Sequence, residues 1–194
     1  GTRPRLLLHA CCGPCSSAVL EYLSQYFAIT LLYYNPNIAP LEEYQKREAE
    51  LRRLVSQMKF THPVELLPCQ YDGQAFVQAA RGLEGEPEGG KRCEACFRLR
   101  LRYAAQEAAR LRFDYYTTTL SISPMKNAPL LNQLGEEIGR EFGVAHLPSD
   151  FKKKDGYKRS VQLSKEYDLY RQDYCGCAFS KAQRQREKEE REEV

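Results

Sequence analysis

Leu6-Leu7-Leu8 is an unbroken apolar run that leads straight into His9-Ala10-Cys11-Cys12-Gly13-Pro14-Cys15. A strand that is apolar at successive positions presents hydrophobic side chains to both faces, so both faces must be covered. That requirement selects a layered fold with helices above and below a parallel sheet. Gly13 and Pro14 break the strand, and Ser16-Ser17 precede an apolar, helix-prone run from Ala18 to Leu23. The cysteines therefore fall where a buried strand turns into a helix, the carboxyl edge at which open α/β sheets bind ligands. A helix N-terminus also favours thiolate over thiol. Sulfur chemistry is the first expectation.

Further apolar runs read as strands at 28–34, 63–67, 113–119 and 143–147, beside the first at 5–10. Helical patterns lie between them. Tyr44, Leu51, Val55 and Met58 mark one face of a helix from about residue 41. Phe97, Leu101, Ala104, Ala108 and Leu111 form the stripe of a helix over 93–112. Leu130, Leu131, Leu134 and Ile138 do the same over 127–142, and 161–170 reads as helical. Strands alternating with helices predict one Rossmann-like α/β domain with a mostly parallel sheet and right-handed crossovers. Residues 1–180 form that domain, with a helical C-terminal part; residues 181–194 are an almost wholly charged tail, expected as a solvated or frayed helix.

A chain of 194 residues, 42% hydrophobic and 28% charged, suffices for one domain with a full core. No apolar run approaches the ~20 residues of a membrane span, and no signal-peptide pattern precedes Leu6. The expectation is a cytoplasmic protein without membrane contact. Eight cysteines are many for such a chain. Disulfide frameworks belong to small secreted domains, so clustered cysteines here point to metal binding or electron exchange.

Three clusters carry that chemistry: Cys11/Cys12/Cys15, Cys93/Cys96 and Cys175/Cys177. Cys93 and Cys96 stand one turn apart on a helix face. Four thiolates from the first two clusters can close around zinc or a four-iron cluster. Cys175-Gly176-Cys177 is too short for a helix-face pair; it reads as a small, strained disulfide ring, as free thiols or as extra metal ligands. Cys69 stands alone and reads as a small buried hydrophobe. Asp72 reads first as a helix cap and second as a carboxylate ligand or proton donor.

Other segments suggest what the cysteines act on. Residues 81–90 form a glycine- and glutamate-rich loop, expected as a mobile lid. The hydroxyl run Thr117-Thr118-Thr119 and Lys126 at a helix start suit an anion; plain capping by Ser123 is equally in keeping. Lys152, Lys153, Lys154, Lys158 and Arg159, with Phe151 and Tyr157 among them, suit phosphates and stacked bases. A solvated loop is the plainer alternative. Arg98 and Arg102 are weaker candidates. Cys12-Gly13-Pro14-Cys15 also spells a thioredoxin-like dithiol, although here it follows the first strand. A zinc-stabilised RNA-binding module is a third possibility. A tRNA thiolase of the ATP-pyrophosphatase type would want a Ser-Gly-Gly loop where Cys11-Cys12-Gly13 stands.

Taken in order, these motifs resemble one family. They are Leu8-His9-Ala10-Cys11-Cys12-Gly13-Pro14-Cys15, Tyr34-Asn35-Pro36-Asn37-Ile38, Arg92-Cys93-Glu94-Ala95-Cys96-Phe97, the run from Thr117 to Asn127, Lys153-Lys154-Asp155-Gly156-Tyr157-Lys158-Arg159-Ser160, and Tyr174-Cys175-Gly176-Cys177. From about Arg5 to Ser180 the chain resembles the cobalamin-independent epoxyqueuosine reductases of the QueH type. The resemblance implies a HUP-like fold and the last step of queuosine biosynthesis, removal of the epoxide oxygen from epoxyqueuosine in the anticodon loop of a tRNA. It implies a [4Fe-4S] cluster on Cys11, Cys12, Cys93 and Cys96, a redox-active Cys175–Cys177 disulfide and an electron donor of unstated identity. A second, mononuclear iron is a further implied cofactor, with Cys15 and Asp72 as candidates by position.

Overall fold

The computed structural model describes residues 3–123, 126–149, 155–172 and 174–193. Five strands, β1 (Arg5–His9), β2 (Ala28–Leu32), β3 (Glu65–Leu67), β4 (Tyr115–Thr118) and β5 (Ala145–His146), form a sheet in the order β3-β2-β1-β4-β5. Every pairing is parallel. All five expected strands are present, each a little shorter than its apolar run.

The register explains the leucine run. Leu6 and Leu8 point into one hydrophobic layer and Leu7 into the other, and all three are fully buried. Burying such side chains contributes about 1.5–3 kcal/mol each. The first layer packs α1 (Gly13–Leu23), α2 (Leu41–Gln57) and α6 (Gly156–Glu166) on the sheet; the second packs α4 (Lys91–Arg110) and α5 (Ala128–Phe142). A short α3 (Gly73–Ala80) precedes α4, and α7 (Ala178–Glu192) ends the described chain.

The chain leaves β1 towards β2 and β3, then returns to place β4 on the other side of β1. The strand order therefore reverses between β1 and β4. A crevice opens at the carboxyl ends of these two strands, the switch point at which such sheets bind ligands.

Several boundaries differ from expectation. The fourth helix begins at Lys91, so Cys93 and Cys96 sit inside its first turns. The helix expected over 161–170 starts at Gly156 and ends at Glu166. Lys158 and Arg159 are therefore helical rather than in a loop. Asn127, not Ser123, caps α5, its side chain accepting from the Leu130 N–H at 3.0 Å. The tail is a solvated helix, as its charge pattern suggested, but α7 runs unbroken across residue 180. The 81–90 loop is tied down by the Arg92 guanidinium, which donates to the carbonyls of Glu84 and Glu86. Lys152, Lys153 and Lys154 lie outside the described residues. Among those described, no helix is long and apolar enough to cross a membrane.

Candidate thiol-rich active site

The first cluster is built by the β1–α1 junction. Cys12 is the extended N-cap residue of α1, and Pro14 opens the helix, where its missing N–H leaves no helical bond unmade. Ser16 and Ser17 are buried in the helix, their hydroxyls donating back to the carbonyls of Cys12 and Pro14. This fold-back brings Cys11, Cys12 and Cys15 together, with their sulfurs all within 4.8 Å of one another. β4 closes the site from the other side: the Thr119 N–H donates to the His9 carbonyl at 2.9 Å, and Thr119 Oγ1 lies 3.6 Å from Cys11 Sγ.

His9 anchors this edge. Its Nε2 faces the Tyr34 carbonyl at 2.8 Å, so Nε2 carries the proton and Nδ1 accepts from the Thr118 hydroxyl at 2.9 Å. Burial, helped by nearby Arg100, lowers its pKa to about 4, so the ring stays neutral. The cysteines behave differently. Hydrogen bonds from Cys12 and Cys15 hold the Cys11 thiol well below its ordinary range, although burial opposes this. The same contact with Cys11 pushes Cys12 up to about 12, and Cys15 is raised as well. Of the three sulfurs, Cys11 is thus the one that its neighbours favour as the thiolate.

A cavity of about 200 Å³ opens on this triad, lined by Cys11, Cys15, Arg47, Arg100, Lys126 and Cys175 among others. An adjoining cleft holds Cys93, Cys96, Cys175 and Cys177. Arg100, Lys126 and Cys175 line both. The fold thus places all three cysteine clusters in neighbouring cavities. Among the described residues the triad is the one group close enough to share an ion as it stands. Cys93 and Cys96 belong to the adjoining cleft; burial pushes Cys96 up to about 11 while Arg100 opposes it. Soft thiolates without nitrogen or carboxylate partners fit an iron–sulfur cluster or zinc. Gln172 supports that role, since its Nε2 donates to Cys12 Sγ at 3.3 Å while its buried Oε1 has no partner among the described residues.

The C-terminal pair is held by α2. Buried Arg47 donates to the Cys175 carbonyl at 2.9 Å and the Tyr174 carbonyl at 3.1 Å, and pairs with Glu43 at 2.9 Å. The Ala39 N–H donates to the Gly176 carbonyl, and the Tyr174 hydroxyl to the Ala39 carbonyl. Gly176 has φ +134, and a Cβ there would lie 2.8 Å from Ile38 Cγ1 and 3.0 Å from Arg47 Nη1. Only glycine fits between these cysteines. Cys177 is buried and caps α7, its sulfur accepting from the Ser180 N–H at 3.3 Å. All eight cysteines are free thiols.

Other candidates have structural partners. Asp72 caps α3, accepting from the Ala75 N–H at 3.3 Å. Arg159 clasps Glu21 of α1 through two bonds of 2.8 and 2.7 Å. Glu21 lies eight residues along α1 from Gly13, about 12 Å from the cysteine edge at 1.5 Å per residue. Lys158 is exposed beside it. Arg98 and Arg102 pair with Glu94 and Glu141 on the surface. Sequence reasoning missed Arg47 and Arg100. Both carried a signal: Arg47 lies on the buried Tyr44–Leu51–Leu54 stripe of α2, and Arg100 stands one and two turns beyond Cys96 and Cys93. An arginine on an apolar stripe requires a buried partner.

A family profile described as "Epoxyqueuosine reductase QueH" matches residues 6–183, which span every element of this site. The protein of that name from Streptococcus pyogenes serotype M1 is 46% identical over 180 residues, covering 92% of this chain and 71% of its own. Its namesake from Staphylococcus epidermidis is 42% identical, covering 93% of this chain and 77% of its own. That from Thermotoga maritima is 35% identical, covering 92% and 91%. The chain belongs to the QueH family of epoxyqueuosine reductases, a family of oxidoreductase enzymes.

Proposed function

We propose that this chain reduces epoxyqueuosine to queuosine in the anticodon loop of tRNA, using a [4Fe-4S] cluster held by Cys11, Cys12, Cys93 and Cys96, in the cytoplasm. The observation that carries this reading is the meeting of two thiol-lined cavities at the β1/β4 switch point, sharing Arg100, Lys126 and Cys175. Losing the epoxide oxygen takes two electrons and two protons, leaving an alkene and water. When bound, the cluster supplies single-electron transfer, and a second, mononuclear iron would supply Lewis-acid polarisation of the leaving oxygen. Cys15 and Asp72 are the candidates for that second iron.

The chain's own residues do the rest. Arg100, itself buried, and Lys126 place fixed positive charge against the thiolates and the leaving oxygen, where low-dielectric walls strengthen the attraction. Neutral His9 holds the carboxyl ends of β1 and β4 together beneath the sulfurs. The cavity is too small for a stacked duplex, so the modified base must splay out to enter. Cys175 and Cys177 form the dithiol–disulfide couple that exchanges electrons with an outside donor. Lys152, Lys153, Lys154 and Lys158 supply phosphate contacts, and Arg159 does so only by leaving Glu21.

Anaerobic purification with iron and sulfide analysis tests the cofactor. Single serine replacements at Cys11, Cys12, Cys93 or Cys96 are expected to lose iron and turnover together, whereas Cys69→Ser keeps both. Full iron content in Cys93→Ser and Cys96→Ser, with loss in Cys15→Ser, would move the ligand set onto Cys11, Cys12 and Cys15. A colourless protein with stoichiometric zinc would favour a zinc-stabilised RNA-binding module instead.

A further inference from the structure

A lysine stands against one sulfur of the C-terminal pair and not the other. Lys126 directly precedes the Asn127 cap of α5, and its Nζ reaches to 2.8 Å from Cys175 Sγ. The ammonium also lies 5.6 Å from the centre of the Phe97 ring, which covers it on the α4 side. Burial works against its charge, yet Cys175 more than offsets this, and Lys126 keeps its proton above the ordinary lysine range.

Cys177 has a different setting. It is buried, and its sulfur accepts from the Ser180 N–H. The other charges on the larger cavity are Arg47, Arg100, Arg184 and Glu88. Arg47 directs its donors to backbone carbonyls and Glu43, and Arg184 pairs with Glu88 at 3.5 Å. Arg100 turns towards the Cys96 carbonyl. Among the described residues, Lys126 is thus the cation in hydrogen-bond contact with the Cys175 sulfur.

We propose that Lys126 is a positioning residue for the Cys175/Cys177 couple: its ammonium donates to the Cys175 sulfur of the reduced pair and thereby raises the pair's reduction potential. This rests on the reading of Cys175 and Cys177 as a redox couple. A hydrogen bond from a cation that is made to the reduced sulfur and not to the disulfide stabilises the reduced form, so the disulfide becomes the stronger oxidant. In reduction by two glutathione molecules, the Cys175–Cys177 S–S bond breaks and the S–S bond of glutathione disulfide forms. Two electrons pass to the pair. The two thiol protons released by glutathione balance the two sulfurs freed at Cys175 and Cys177, and the Cys175 sulfur comes to rest against Lys126. The device orients the pair: Cys175 faces both cavities as the reactive sulfur, and Cys177 stays buried against the Ser180 N–H.

The test uses the full-length holoenzyme, its Lys126→Met and Lys126→Arg variants, and anaerobic glutathione redox buffers. Differential alkylation and mass spectrometry of the peptide carrying both cysteines read the couple directly. Lys126→Met, which keeps the packing and removes the charge, is expected to lower the equilibrium constant for reduction about tenfold, a fall of about 30 mV. Lys126→Arg is expected to restore most of it. In the wild type, iodoacetamide is expected to label Cys175 several-fold faster than Cys177, and that preference should vanish in Lys126→Met. An unchanged constant in a folded, iron-loaded Lys126→Met protein overturns the role of Lys126 while leaving the couple intact. A wild-type peptide that never forms the disulfide in the most oxidising buffer overturns the couple and this inference together. If neither variant folds, equal labelling of the two cysteines in the wild type overturns it.

Discussion

At the scale of single residues, Gly176 shows how tightly the C-terminal pair is seated. Its φ of +134 lies where L side chains are strained, and the space for a Cβ is taken by Ile38 and Arg47. Gly176→Ala is expected to cost roughly 2–4 kcal/mol, combining backbone strain and overpacking. It should also shift the two sulfurs relative to Lys126. Thermal unfolding measures the first effect, and thiol-labelling rates at Cys175 and Cys177 the second. A variant with wild-type melting and labelling would mean that the loop relaxes freely. His9 plays a different part. Two hydrogen bonds and full burial keep it neutral, so it serves as a fixed strut rather than a proton carrier.

At the scale of elements, α2 does more than cover the sheet. One of its buried residues, Arg47, reaches across to residues far along the chain and satisfies the carbonyls of Tyr174 and Cys175. Arg47→Lys keeps a charge near Glu43 but cannot reproduce the planar fork that serves all three partners. The expected result is a folded protein in which residues 174–180 exchange amide hydrogens faster, by about tenfold or more, while β1 is unaffected. That corresponds to about 1.4 kcal/mol or more of local stability, in keeping with the removal of charge-assisted bonds. Uniform exchange across the chain would show that α2 does not seat the pair. α4 contributes in the same way from the other layer. Cys93, Cys96 and Arg100 share its face, so one helix carries two thiols and their buried cation.

At the scale of the whole molecule, charge and topology set where RNA can approach. The net charge of +3 is small, yet basic side chains gather around the switch-point cavity. Lys158 lies by the far end of α1, where Arg159 holds Glu21. Replacing Lys152, Lys153, Lys154 and Lys158 by alanine together is expected to weaken tRNA binding. It should also flatten the log–log salt dependence, by roughly 0.7–0.9 in slope for each phosphate no longer neutralised. Arg159→Ala alone should change stability more than the slope. An unchanged slope in the fourfold variant would make this stretch a solvated surface.

Much of this protein was legible in its residues because local patterns carried the information. The Leu6-Leu7-Leu8 run specified a strand covered on both faces, and the alternation of strands with amphipathic stretches specified a parallel, layered sheet. Cysteine spacing pointed to sulfur chemistry at the carboxyl edge, since Gly13-Pro14 had to end the strand there. What the sequence by itself could not determine depends on which distant segments meet. The placement of Cys93 and Cys96 beside Cys175 and Cys177, next to the cavity on Cys11 and Cys15, follows from how the distant segments pack around the β3-β2-β1-β4-β5 sheet. The partnership of Lys126 with Cys175, the grip of Arg47 on the C-terminal loop and the capture of Arg159 by Glu21 join residues 49 to 138 positions apart. Periodicity reports a residue's neighbours within one element; pairings of that range are decided only when the layers close around the sheet.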